Sequence, residues 1–198
     1  MNMTKFVRTS CIIATIFLFV ACNFESEYTP KPSTYYRISF PEKEYNLYDT
    51  TALPFTFEVP TYANIVHKRN DKDIKWFDII YPSMNGTVFI SYKQLNNKRT
   101  LAQEVDTAHQ MMSVHFNMSS GIQESNYADF ENKIFADSYT LKGNTIASTY
   151  QFWATDSVNH FVRGAFYING NPNYDSLEPV YKFIQQDIIH FIETLRWK

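Results

Sequence analysis

Six short segments rich in aromatic and β-branched residues, each followed by turn residues, commit most of this chain to antiparallel β-sheet. Phe55-Thr56-Phe57-Glu58-Val59 sets the pattern, with apolar side chains on one face and polar ones on the other. Trp76 to Tyr81 and Thr87 to Tyr92 form the next pair, joined by Pro82 to Gly86, where Asn85-Gly86 is a strong turn signal. Lys68 to Lys75 reads as a charged loop before that pair. Ile134 to Leu141, Thr145 to Ala154 and Phe161 to Ile168 follow, separated by Lys142-Gly143-Asn144 and by Thr155 to Asn159. Connections this short fit a meander and leave no room for βαβ crossovers.

Two amphipathic helices interrupt the strands. Thr100 and Gln103 make a capping box, and Leu101, Val105, Ala108, Met112 and Phe116 form one apolar stripe that ends at Ser119-Ser120-Gly121. Asp175 and Glu178 suggest a second capping box, with Pro179 in the first turn. Leu177, Val180, Tyr181, Ile184, Ile188, Phe191, Ile192 and Leu195 give this helix its apolar face, and Lys182, Gln185, Gln186, Asp187 and Glu193 its wet one. The expected fold is α+β, in the order βββ-α-βββ-α: one antiparallel sheet of about six strands with two main helices packed on it. That order is similar to the Mog1/PsbP-like fold, a likeness that carries no function by itself. The chain is 17% aromatic, with 17 Phe and 14 Tyr. Most of these rings fit a β-rich core; the alternative is a sticky outer sheet face for a partner or a glycan.

The N-terminus sets the compartment. Lys5 and Arg8 precede Cys11 to Ala21, which is apolar apart from Thr15 and shorter than the ~20 residues of a membrane-spanning helix. Leu18-Phe19-Val20-Ala21-Cys22 then reads as a lipidation site, with Cys22 the acylated residue, although Phe19 stands where leucine is usual. Each buried CH₂ contributes about 0.8 kcal/mol, so the several chains of a bacterial lipoprotein hold it firmly. Residues 1–21 are expected to leave as a signal peptide, residues 22–34 to form a lipidated tether with Pro30 and Pro32, and residues 35–198 to fold as one domain. Cys11 and Cys22 are the only cysteines, so the processed chain has no thiol for a disulfide, a Cys-based zinc site or a nucleophile. Its net charge moves from −2 to −4 as Lys5 and Arg8 leave, and no basic cluster points to nucleic acid.

No constellation marks a reaction. Asp156, Ser157 and His160 lie in an expected hairpin turn, where such residues bond the local backbone. His109 and His115 sit 240° apart on a helix, because six steps of 100° make 600°, and metal pairs use i, i+4. His67 and His190 have no ligand partner nearby in sequence. Tyr174-Asp175-Ser176 fits helix capping. Asp129, Glu131 and Asp137 pair as glycosidase carboxylates only on paper. No enzyme, cofactor, metal or small-molecule substrate is expected.

Several segments together resemble one family. They are Tyr35-Tyr36-Arg37-Ile38-Ser39-Phe40-Pro41, Trp76 to Pro82, Ile90-Ser91-Tyr92-Lys93, Thr155-Asp156-Ser157 with His160-Phe161, Asn171-Pro172-Asn173-Tyr174-Asp175-Ser176, and Glu193-Thr194-Leu195-Arg196-Trp197-Lys198. In this order and spacing they look like the gliding-motility-associated lipoprotein GldD family, over nearly the whole processed chain. The resemblance implies a non-enzymatic accessory part of the gliding machinery, linked to type IX secretion. It implies a palmitate-type lipid anchor in the bacterial cell envelope, at the periplasmic face of the outer membrane in preference to the inner membrane or cell surface. The implied partners are the membrane and other machinery proteins. It transfers one site residue, Cys22, and no catalytic one. The alternative is an envelope polysaccharide- or peptidoglycan-binding module or hydrolase.

Overall fold

In the computed structural model, residues 38–70, 73–170 and 174–198 are described, with the side chains of residues 69 and 70 set aside. Cys22 and the expected signal and tether lie outside them. The described elements, in chain order, are β1 (Tyr45–Tyr48), β2 (Phe55–Pro60), β3 (Asn64–Asn70), β4 (Ile74–Tyr81), β5 (Gly86–Gln94), α1 (Leu101–Ser113), β6 (Gly121–Asp129), β7 (Ile134–Lys142), β8 (Ser148–Thr155), β9 (His160–Ile168), α2 (Tyr174–Thr194) and β10 (Arg196–Trp197). Short 3-10 turns cover Pro82–Met84 and Phe116–Met118.

Among the described residues the fold is α+β with two α-helices, but the strands form two sheets and not one of six strands. Seven strands run β3-β4-β5-β9-β8-β7-β6, and a small second sheet runs β1-β2-β10. Every neighbouring pair is antiparallel. The large sheet is two meanders, β3-β4-β5 and β6-β7-β8-β9, sewn together where β5 pairs β9. Asn85 takes the left-handed conformation at φ 50° and turns the chain into Gly86, which opens β5. A Cβ at Gly86 would stand 2.9 Å from the Ile184 side chain, so the turn lies close under α2.

One face of the large sheet carries the main core. Phe77, Val88, Ile90, Phe152 and Phe166 meet Val180, Ile184, Ile188 and Phe191 of α2, all buried. The small sheet closes this layer from the side. Phe57 stacks on Phe77 at 5.7 Å and meets Phe191 at 4.6 Å, while Phe55 packs on Tyr92 at 5.7 Å. The other face is only half covered. There α1 seals Met112, Tyr139, Leu141 and Ile146 in one cluster and Leu95, Ala108 and Phe161 in another.

The helices differ from expectation at their ends. The capping box at Thr100 is present: its hydroxyl accepts from Gln103 N–H, and Gln103 Oε1 accepts from Thr100 N–H at 3.0 Å. However, α1 stops at Ser113, so the stripe does not continue to Phe116, which falls in the following 3-10 turn. α2 begins at Tyr174, which puts Asp175 inside the first turn and Pro179 deeper in the helix. The Asp175 carboxylate accepts from Asn144 Nδ2 at 3.1 Å, a contact between elements that local capping does not foresee. Asp187, placed on the wet face by periodicity, is 2% exposed.

Candidate functional site: the open half of the outer sheet face

Because α1 lies over β8 and β9, the outer side of β3, β4 and β5 is left bare beside it. A groove of about 670 Å³ occupies this step. Alternation along the strands decides its floor. Trp76, Ser91 and Arg163 form one row across β4, β5 and β9, and Asp78, Phe89 and Ala165 form the next. The wall is the side of α1 that carries Glu104, Thr107, Ala108 and Met111. Phe89 is 45% exposed and meets Tyr167 edge to face at 5.5 Å, an aromatic surface that the core does not use.

Charge in the groove is organised in pairs, with one exception. Glu104, buried in the first turn of α1, takes Lys93 Nζ at 2.5 Å and Arg99 Nε at 3.4 Å. Asp78, buried on β4, takes Lys68 Nζ at 3.3 Å. Arg163 is half-buried, and its Nη2 donates to Gln151 Oε1 at 2.8 Å. Among the described residues it has no carboxylate partner, and burial pulls its guanidinium below the usual range. The neighbouring His115 is held low by its own burial first and by the Arg163 charge second.

A second cleft of about 380 Å³ separates the end of α1 from β6 and is lined by His109, Met112, Phe116, Ile122 and Tyr139. Tyr139 is pushed up to about 12 by burial and by the charges of Asp137 and Glu124, and its hydroxyl meets His109 Nε2 at 3.0 Å.

A polar cluster elsewhere in the described residues surrounds Asp187. Its Oδ1 accepts from Lys43 Nζ at 2.6 Å and Tyr45 OH at 2.7 Å, and its Oδ2 from Tyr62 OH at 2.8 Å. Burial and the Asp187 carboxylate push both tyrosines well above the usual phenol range, so both stay donors. Lys43 also sits over the Phe183 ring at 4.1 Å, and Phe40 stacks on that ring at 4.5 Å. The cavity beside Asp187 is about 10 Å³, no more than one water's worth, so the cluster is a clamp and not a ligand site.

The residues weighed in the sequence fall as follows. Asp156 Oδ1 accepts from the backbone N–H groups of Val158, Asn159 and His160 at 3.0, 2.8 and 2.8 Å, and Ser157 takes φ 68° in that turn. His160 turns away, meeting Tyr92 OH at 2.9 Å and stacking on Trp197 at 5.0 Å. No nucleophile–base pair is assembled there. His67 meets Tyr48 OH at 2.7 Å, and His190 meets Glu58 at 2.6 Å. Asp129 is bonded by Asn132, which holds its carboxyl low, and Asp137 by Asn126 at 2.6 Å. Among the described residues no cluster of three or more His, Cys, Asp or Glu has metal-binding geometry. No described helix is long and apolar enough to cross a membrane.

Sequence reasoning did not find the groove. Its charged members come from β3, β4, β5, α1 and β9, and only the fold brings them together. The one available signal was that Trp76 and Phe89 occupy the alternate positions of strands whose core phase is set by Phe77 and Val88.

A family model described as gliding motility lipoprotein GldD matches residues 25–197. No curated protein matches the chain. Among solved structures, the chain is similar to the solution structure of cyanobacterial PsbP (CyanoP) from Synechocystis sp. PCC 6803 at 10% identity, covering 82% of this chain and 98% of that one with a TM-score of 0.49.

Proposed function

We propose a tethered, non-enzymatic docking role for this chain, which belongs to the gliding motility lipoprotein GldD family. The family is one of accessory lipoproteins, and the match over residues 25–197 is the observation that carries the reading. On this reading Cys22 is the acylated residue, residues 1–21 are removed, and residues 35–198 work as one domain at the periplasmic face of the outer membrane. The domain holds other parts of a gliding apparatus linked to type IX secretion. Tethering supports a modest interface, because a partner on the same membrane is met at high effective concentration. The half-covered outer face supplies an interface of that kind, with exposed Phe89 and paired charges beside it.

The test is Cys22→Ser in cells. The variant is expected to leave the membrane fraction and to stop colony spreading while its abundance and protease resistance stay those of the parent. Spreading restored by an unanchored form would refute the reading.

A further inference from the structure

We infer that the groove between α1 and β3–β5 binds an acidic segment of a partner polypeptide, with Arg163 as the carboxylate anchor. The inference rests on the docking role proposed above. The groove holds three cations, Lys68, Lys93 and Arg163, against two anions, Asp78 and Glu104. Lys68 and Lys93 are neutralised by those two carboxylates, at 3.3 and 2.5 Å. Arg163 is the remainder.

A half-buried guanidinium without a counter-ion is costly, because desolvation weakens its hydration and nothing replaces it. The buried carboxylates here do not bear that cost: Asp78, Glu104 and Asp187 each have a cation within 3.3 Å. Arg163 has instead a neutral partner. Gln151, itself 3% exposed, accepts one N–H at 2.8 Å and fixes the guanidinium plane without cancelling its charge. A guanidinium has five N–H donors in a fork that matches a carboxylate in two parallel bonds. Among the described residues no other partner takes up this fork.

The surroundings select among anions. Asp78 and Glu104 line the same groove, and a doubly charged phosphate would meet both of them, whereas one carboxylate matches the one lining cation left without a carboxylate. Trp76, Phe89 and Met111 line the same groove as the arginine and offer apolar contact, which suits apolar residues flanking an Asp or Glu. The volume of about 670 Å³ accommodates a run of a few residues, not a single side chain.

The experiment uses the full-length lipoprotein in nanodiscs and a rhodamine-labelled decapeptide of alternating Leu and Asn in which one central Asn is replaced by Asp. Its Leu–Asn twin is the neutral control, and protein-free discs give the background. Anisotropy should show the Asp peptide binding at least about tenfold tighter than the twin. Arg163→Gln should lower its affinity to the twin's level, and Arg163→Lys should restore part of it. A measurement on the parent protein covers the case of a poorly folded variant: raising NaCl from about 50 to about 500 mM should weaken the Asp peptide and leave the twin unchanged. Equal binding of the two peptides, no binding by either, or unchanged affinity in Arg163→Gln would overturn the inference. So would displacement of the peptide by an oligogalacturonate, which would mark the groove as an acidic-glycan site. In cells, arrest by Cys22→Ser with normal spreading of an abundant Arg163→Gln protein would sink the groove alone and leave the anchored docking role standing.

Discussion

Replacing Asp187 by Ala should be among the most damaging single changes in the domain, although helical periodicity places that position on the solvent side. The carboxylate is 2% exposed and accepts from three donors within 2.8 Å. Truncation removes the acceptor of all three, leaving Lys43 its bond to the Phe183 carbonyl at 3.0 Å and both phenols without a partner among the described residues. Removing one member of a buried ion pair costs about 3–5 kcal/mol, because the other charge stays desolvated. Lys43 lowers that figure, since its side chain is 27% exposed and regains some water. Tyr45 and Tyr62 raise it, since each loses a bond to a charged acceptor worth about 1.5–3 kcal/mol in isolation. These terms share one group and do not add, which leaves an expected loss of about 4 kcal/mol. Against a total of about 5–15 kcal/mol for a domain, that is a large share. Urea titration of parent and variant under the same conditions measures it. Asp187→Asn, which keeps an oxygen for one tyrosine, should lose about 2 kcal/mol. Lys43→Met should lose less than Asp187→Ala, because the carboxylate keeps both phenols. In the double variant the losses should fall short of their sum by about 1 kcal/mol or more. A loss under about 1 kcal/mol for Asp187→Ala, with an unchanged slope, would show that the clamp does not hold the Lys43 segment to α2.

Two further expectations follow from packing and from titration. A Cβ on Gly164 would stand 2.1 Å from Phe152 Cε1, and Phe152 is wedged against Phe191 with ring centroids 5.7 Å apart, so Gly164→Ala should cost about 3 kcal/mol by overpacking in the same urea assay. Gly121→Ala, with nothing within 4 Å of the new carbon, should stay within about 1 kcal/mol of the parent, and equal losses for the two would refute the steric argument. Above pH 10 the domain should lose stability steeply. Tyr92 and Tyr139 are pushed up to about 12, and Tyr45, Tyr62 and Tyr81 are also raised, in each case chiefly by burial. The unfolded chain therefore gives up phenol protons near pH 10 that the native state retains, and the stability present below that pH drains away as pH climbs through the native values. A urea midpoint that is the same at pH 8.5 and pH 11 would contradict this.

The sequence was legible wherever one residue type had one physical reason to be where it is. All six alternating segments lie in strands, except that Thr145 to Ala147 fall in the turn before β8, because burying one face of a sheet imposes period two regardless of context. β1, β3, β6 and β10 carry no such signal, for the same reason in reverse. β3 and β6 are the edges of the large sheet; Asn-Ile-Val-His-Lys-Arg-Asn and Gly-Ile-Gln-Glu-Ser-Asn-Tyr-Ala-Asp carry the polar and charged residues that discourage edge-to-edge pairing, and such residues erase the alternation that marks a strand. β1 and β10 are four and two residues long and are defined by pairing with β2, a long-range event with no local signature. Without them the small sheet is invisible and the count stops at a single sheet. For Asp187, helical periodicity tells which way a side chain points and not what waits there: here Lys43, Tyr45 and Tyr62 arrive from more than 120 residues away. Arg163 is the same problem at the groove. In sequence it is one polar residue in a strand of apolar ones, indistinguishable from a solvated alternate position. It becomes a site candidate only because β4 and β5 lie on one side of it, α1 stands over the other, and the carboxylates they bring, Asp78 and Glu104, are already spent on lysines.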